Sequence, residues 1–310
     1  MCDTKHGHHA HPHDHATGAT LGHRAGPDDL RVVITGKGGV GKTSLTALLA
    51  RRLARRSWRV LALDADPQMN LPWALGLADD QARALIPLSA NADYVEEKTG
   101  ARPGEGWGLF FRLNPNVDDV VERFGVIAPE GVRLLVMGNT VQPAAGCLCP
   151  ENALLAAVVN AIGLRSDEAI LMDTQAGFEH FGRALARGFR HALVVTDPTF
   201  NGVHVALHAA RLAAALDIDG VHLVVNGVRD ARDYERTLTR VAAEGGFDFA
   251  SRLCLPWDER LRLCEPDIEP ILRDESPIVD AVDTLLATLT AGRAGPAAVS
   301  PREELLTCVS

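Results

Sequence analysis

Residues 36–43 read GKGGVGKT, which fits the phosphate-loop spacing G-x-x-x-x-G-K-[ST] with Gly36, Gly41, Lys42 and Thr43. The residue types set the chemistry. Gly36, Gly38, Gly39 and Gly41 let successive backbone N–H groups, through Val40 and on to Ser44, turn inward on phosphate oxygens. Lys42 reaches the β- and γ-phosphates, and the Thr43 hydroxyl binds Mg²⁺. The helix that follows adds its positive N-terminal end. Two further segments carry aspartates: LALDADPQMNL (61–71), with Asp64 and Asp66, and LMDTQAG (171–177), with Asp173 and Gly177. An aspartate after a strand is as readily a turn or cap residue. Three of them in this order beside a phosphate loop point instead to nucleotide hydrolysis.

A second constellation is GCLCP (146–150), where Cys147 and Cys149 stand one residue apart. A tetrahedral thiolate site needs about four ligands. Glu151 and Asn152 follow, and no histidine lies within about twenty residues on either side. A disulfide from i to i+2 closes a strained ring. A two-fold axis through the pair brings four thiolates together, a set that selects Zn²⁺, Ni²⁺ or Cu⁺. Two thiols packed as small hydrophobes are the alternative. The setting, a loop entering a helix at Pro150, favours metal. The remaining cysteines, Cys2, Cys254, Cys264 and Cys308, acquire no partner from the sequence. The first 29 residues hold seven of the twelve histidines. His6, His8, His9, His11, His13 and His15 are candidate weak ligands for Ni²⁺ or Zn²⁺ in a flexible tail.

These residues need strands and helices to place them. LRVVITG (30–36), RVLALDAD (59–66), RLLVMG (133–138), EAILMDT (168–174), HALVVTD (191–197) and VHLVVNG (221–227) are short, unbroken apolar runs. Such runs suit strands buried on both faces of a parallel sheet. Helical patterns such as 44–57 and 202–217 alternate with them. The expected fold is a single doubly wound α/β domain over 30–290, preceded by a His-rich tail (1–29) and followed by an extension (291–310). The polar signals fall just after strands, where ligands of such sheets bind.

Composition narrows the function classes. The 310 residues are 46% hydrophobic with net charge −9, which speaks against nucleic acid as a partner. No apolar run is long enough to insert in a membrane, and no apolar segment follows Met1 as in a secretory signal. Six cysteines form no disulfide framework, so a reducing cytoplasm is expected.

Lys37 gives the loop a second lysine near its start, and GKGGVGK resembles the deviant Walker A of the MinD/ParA/nitrogenase-iron-protein superfamily. The resemblance implies an ATP-driven homodimer in which Lys37 reaches the partner's nucleotide and, with Lys42, serves catalysis much as an arginine finger does. It implies that Asp66 orients attacking water, that Asp173 holds Mg²⁺ through water and that Gly177 senses the γ-phosphate. In VVNGVRD (224–230), Asn226 matches the purine-contacting asparagine of N-K-x-D, but Gly227 replaces the lysine, which points to ATP. LPWDERL (255–261) resembles the loop that wraps the base, with Pro256 and Asp258 as candidates.

The phosphate loop, DADP, GCLCPENALL and DTQAGFEHFGRAL together resemble the nickel-insertion accessory ATPases of carbon monoxide dehydrogenase (CooC type) across most of residues 30–290. That resemblance implies a dimer binding Ni²⁺ through Cys147 and Cys149, with carbon monoxide dehydrogenase or another nickel enzyme as client. Zn²⁺ suits the same thiolates. Glu179, His180 and Arg183 would lie in or beside the second switch, and Gln175 stands where the family usually has glutamate. The histidine tail resembles the extensions of nickel chaperone GTPases for hydrogenase and urease. Two rivals share the phosphate loop: a partitioning or positioning ATPase, and an iron–sulfur reductase component.

Overall fold

Each expected apolar run forms a strand. The computed structural model describes residues 30–102, 112, 115–138, 150–161, 168–176, 186, 188–274 and 276–291. Its strands are β1 (Leu30–Gly36), β2 (Arg59–Ala65), β3 (Val126–Ile127), β4 (Arg133–Val136), β5 (Glu168–Thr174), β6 (His191–Thr196), β7 (Gly220–Val228) and β8 (Ser251–Pro256). They form one sheet in the order β3-β4-β2-β5-β1-β6-β7-β8. Every pairing is parallel except β3 with β4. The phosphate-loop strand β1 is therefore central, flanked by β5 and β6.

The helices among the described residues are α1 (Lys42–Arg55), α2 (Leu71–Ala74), α3 (Asp79–Ala84), α4 (Ala92–Thr99), α5 (Val120–Phe124), α6 (Pro150–Ala161), α7 (Phe200–Ala214), α8 (Ala231–Ala243), α9 (Glu259–Cys264), α10 (Glu269–Arg273) and α11 (Pro277–Thr290). They divide between the sheet's two faces. One core packs Tyr94 of α4, Leu154 of α6, Val203 and Leu207 of α7 and Tyr234 of α8 against the sheet. The other packs Leu45, Leu48 and Leu49 of α1, Ile271 of α10 and Leu285 of α11. Burying a leucine of this kind contributes roughly 1.5–3 kcal/mol relative to leaving it exposed. No helix of the described residues is long and apolar enough to cross a membrane.

Helix α1 presents Lys42 and Thr43, so its anchorage matters for the site. Its buried Arg51 bonds Glu130, ahead of β4, and Glu269 of α10. Arg52 bonds Asp283 of α11. These charges fix the helix that the apolar face has already docked. Pro150 begins α6, as expected, while Cys147, Cys149, Gly177, Glu179, His180, Arg183 and the histidines of the tail lie outside the described residues. Cys254, left without a partner by the sequence, is disulfide-bonded.

Candidate functional site

The loop between β1 and α1 lies at the carboxyl end of the central strand, and its glycines are required by contact as much as by conformation. Gly36 has φ +148°, and a Cβ there would stand 2.1 Å from the Val195 carbonyl oxygen of β6. Gly41 has φ +91°, and a Cβ there would meet the Asn226 amide nitrogen at 2.4 Å. That nitrogen donates to the Val40 carbonyl at 2.8 Å. Asn226 therefore braces the phosphate loop from β7 with one donor, leaving its carbonyl oxygen for the base contact that the sequence suggests.

Lys42 is buried, and its ammonium donates to the Lys37 carbonyl at 3.1 Å. Burial pulls its pKa below the usual lysine value, with Asp173 and Asp66 opposing that shift. Thr43, on the first turn of α1, donates its hydroxyl to Asp173 Oδ2 at 2.6 Å. Asp173 lies at the carboxyl end of β5, in register with Ile34 of β1 and Asp64 of β2. It is 1% exposed, and its Oδ1 is buried without a hydrogen bond among the described residues. Burial drives its pKa up to about 7, against the Thr43 hydroxyl and Lys42. A buried carboxylate oxygen without a partner, next to a hydroxyl and under a phosphate loop, fits a hard divalent cation such as Mg²⁺. When bound, that ion would neutralise charge on the phosphate oxygens.

Asp64 and Asp66 take different parts. Both oxygens of Asp64 accept loop amides, from Asp66 at 3.0 Å and Leu71 at 3.1 Å. Burial, and then Asp173, raise its pKa well above the carboxylate range. Asp64 thus shapes the loop that carries Asp66, each of its oxygens holding one backbone amide. Asp66 is half-buried, accepts from the Gln68 amide at 2.9 Å through Oδ1, and lies close enough to raise the Lys42 pKa. Its Oδ2 carries no hydrogen bond among the described residues, which suits a group that positions water. Lys37 is half-buried, and Gly38 packs beside Ala176, where a Cβ would lie 3.5 Å from the alanine methyl. The start of the second switch segment therefore borders the loop.

The base-side candidates lie at the end of β8 and at the start of α9. Pro256 is buried at the end of β8, opposite Val228. Asp258 caps α9 through the Arg260 amide, and its two oxygens bond the Arg260 guanidinium, which holds its carboxyl below the usual range. The exposed group between them is Trp257, 44% accessible, which no motif in the sequence marks. Its amide bonds the Val228 carbonyl, and its ring packs against Gly227, where a Cβ would lie 3.5 Å from the indole. The Arg229 guanidinium lies 4.8 Å above it. The signal was present as an aromatic between Pro256 and Asp258. ATP is expected to change Trp257 emission, and Trp257→Phe is expected to remove most of the nucleotide-dependent signal while a filter-binding assay still detects binding. A signal unchanged in Trp257→Phe would detach this residue from the site.

Fold and site together define a phosphate-loop ATPase. The chain belongs to the CobQ/CobB/MinD/ParA nucleotide-binding family, whose model matches residues 31–271. It is 34% identical over 253 residues to the carbon monoxide dehydrogenase accessory protein CooC of Rhodospirillum rubrum, covering 80% of this chain and 93% of the relative. It is also 34% identical over 232 residues to an uncharacterized ATP-binding protein of Methanocaldococcus jannaschii, covering 75% and 87%. Among solved structures, the MinC:MinD cell division protein complex of Aquifex aeolicus superposes with TM-score 0.57 at 21% identity, over 87% of this chain and 98% of that one. This last likeness concerns the fold.

Proposed function

We propose that this chain is an ATP-dependent, homodimeric maturation factor that binds nickel and delivers it to carbon monoxide dehydrogenase or a related nickel enzyme. The observation that carries the reading is the similarity to CooC across 93% of that relative, in a chain that also contains the Cys147/Cys149 pair. The site supplies the energetic half. Lys42 would hold the β- and γ-phosphates, Lys37 would reach the nucleotide of the second subunit, and Asp66 would orient the attacking water. Thr43 and Asp173 would hold Mg²⁺, and Asn226 would face the purine. ATP would close two subunits on each other, the closure would complete a four-thiolate site from two cysteine pairs, and hydrolysis would loosen it.

Nickel titration with size-exclusion chromatography tests the cysteine half. The expected result is about one Ni²⁺ bound by thiolate per two chains, seen as thiolate-to-metal charge-transfer absorbance that ATP modulates. Cys147→Ala/Cys149→Ala is expected to lose that band while still eluting as a folded ATPase. Equal absorbance in the double variant, or hydrolysis stimulated by DNA or liposomes instead of nickel-dependent assembly, would sink the reading.

A further inference from the structure

Helix α7 carries two histidines on one solvent-facing stripe. His204 and His208 are four residues apart and both exposed, His204 to 69%. Val203, Ala206, Leu207 and Ala210 of the same helix are buried in the core. Residues four apart on a helix are neighbours, with Cβ atoms about 5–6 Å apart. Two imidazoles at that separation can each turn a nitrogen onto one ion at about 2.0–2.1 Å, and this spacing supplies both histidine ligands in the H-E-x-x-H zinc motif. The helix already fixes their relative position. Thr199 caps it by accepting from the Gly202 amide at 3.1 Å, and its apolar face holds it on the sheet.

Neither imidazole is committed elsewhere among the described residues. His208 makes no hydrogen bond there. His204 Nδ1 lies 3.9 Å from Glu244 Oε2, beyond hydrogen-bond range. The Phe200 ring stacks on His204, with centroids 6.4 Å apart and planes 18° from parallel, and covers one face of it. The nearby cation Arg211 donates to the Glu244 carbonyl at 3.2 Å. No group of three or more His, Cys, Asp or Glu among the described residues is arranged to hold a metal ion. The pair would therefore bind in an open fashion, with water or a ligand from another protein completing the shell. Imidazole suits Zn²⁺, Cu²⁺ and Ni²⁺, and carboxylate or thiol is not needed to select that group.

We propose that His204 and His208 form a surface binding site for a borderline divalent transition-metal ion such as Ni²⁺, with Glu244 as a nearby oxygen donor. Helix α7 starts just beyond β6, where a Cβ on Gly202 would meet the Thr196 hydroxyl at 2.8 Å. The proposal is independent of the cysteine pair and needs only the helix and its two side chains.

Residue-resolved carbethoxylation of the full chain by diethyl pyrocarbonate, read by mass spectrometry with and without Ni²⁺, tests it. Ni²⁺ is expected to slow modification of both His204 and His208. In His208→Ala, His204 is expected to react at its metal-free rate even with Ni²⁺ present, because one imidazole does not chelate. Alanine on an exposed helical position preserves the helix, and circular dichroism checks that it does. Protection is expected to persist in Cys147→Ala/Cys149→Ala, so loss of the cysteine site leaves this footprint intact. Equal rates with and without Ni²⁺ in the wild-type chain, protection of His204 that survives His208→Ala, or protection that disappears with the cysteines would each overturn the proposal.

Discussion

Asp173→Asn is expected to lower ATP turnover at saturating Mg²⁺ and ATP by about 10²- to 10³-fold, the range for losing one preorganised electrostatic group. The same substitution is expected to shift the nucleotide-free melting temperature by only a few degrees, equivalent to about 1 kcal/mol at this size. The two expectations separate because Asp173 does little for the fold. It is buried, its Oδ1 has no hydrogen bond among the described residues, and burial pushes its pKa up to about 7. An isolated buried carboxylate costs free energy. Asparagine has the same shape and can still accept the Thr43 hydroxyl, now at 2.6 Å, while removing the charge that a divalent cation needs. Phosphate release and scanning calorimetry on one preparation check both halves. Turnover above about a tenth of wild type would remove Asp173 from the reaction. A collapse in melting temperature would make the carboxylate a structural member.

Much of this site could be read before any coordinates because the phosphate loop is local in sequence. Gly36 to Thr43 are eight consecutive residues, and strand, loop and helix follow in order. The six central strands were equally legible, because burial on both faces leaves an unbroken apolar run. The edge strands were not. Strand β8, with Ser251 half-buried and Arg252 exposed, closes one side of the sheet, and β3 closes the other with two residues, one of them the exposed Ile127. An edge needs neither the length nor the continuity that marks a central strand.

Contacts distant in sequence were the other blind spot. The bond from Asn226 to Val40 joins residues 186 positions apart, and only the sheet order brings them together. Asp64 and Asp66 look equivalent in LDADP. The fold buries the first under two amides and leaves the second partly open. The bonds from Arg260 to Asp258, two residues back, are likewise hidden by composition. Trp257, an aromatic between a proline and an aspartate, has no motif of its own, and its exposure follows from its place just past the β7–β8 pairing.

Stability of the nucleotide-free chain is expected to fall between pH 6.5 and about 4, by about 3 kcal/mol as an upper limit for the buried His222 and by less for the half-buried His191. His191 opens β6 and His222 lies near the start of β7, at the end of the sheet away from the phosphate loop. His191 Nδ1 and His222 Nε2 are 3.1 Å apart, and His222 Nδ1 is 2.7 Å from the Ser251 hydroxyl of β8. A glycine at 220 makes the room, since a Cβ there would stand 2.7 Å from the His191 nitrogen. One proton suffices between the two rings, and a second would set two donors against each other. Burial lowers both pKa values to about 4, helped at His191 by Arg190 and opposed by Asp219, and helped at His222 by His191. The folded values lie below the unfolded value of about 6.5, so in that window the unfolded chain binds more protons. The contribution is therefore fully present above pH 6.5 and is lost as pH falls toward 4. The two sites titrate as a coupled pair, so the loss comes in stages. Urea midpoints at pH 7.5, 5.5 and 4.5 measure it. His222→Gln keeps a hydrogen-bonding group beside Ser251 but removes one titrating ring, and it is expected to flatten the slope. Parallel slopes in wild type and His222→Gln would show that acid acts on the fold elsewhere.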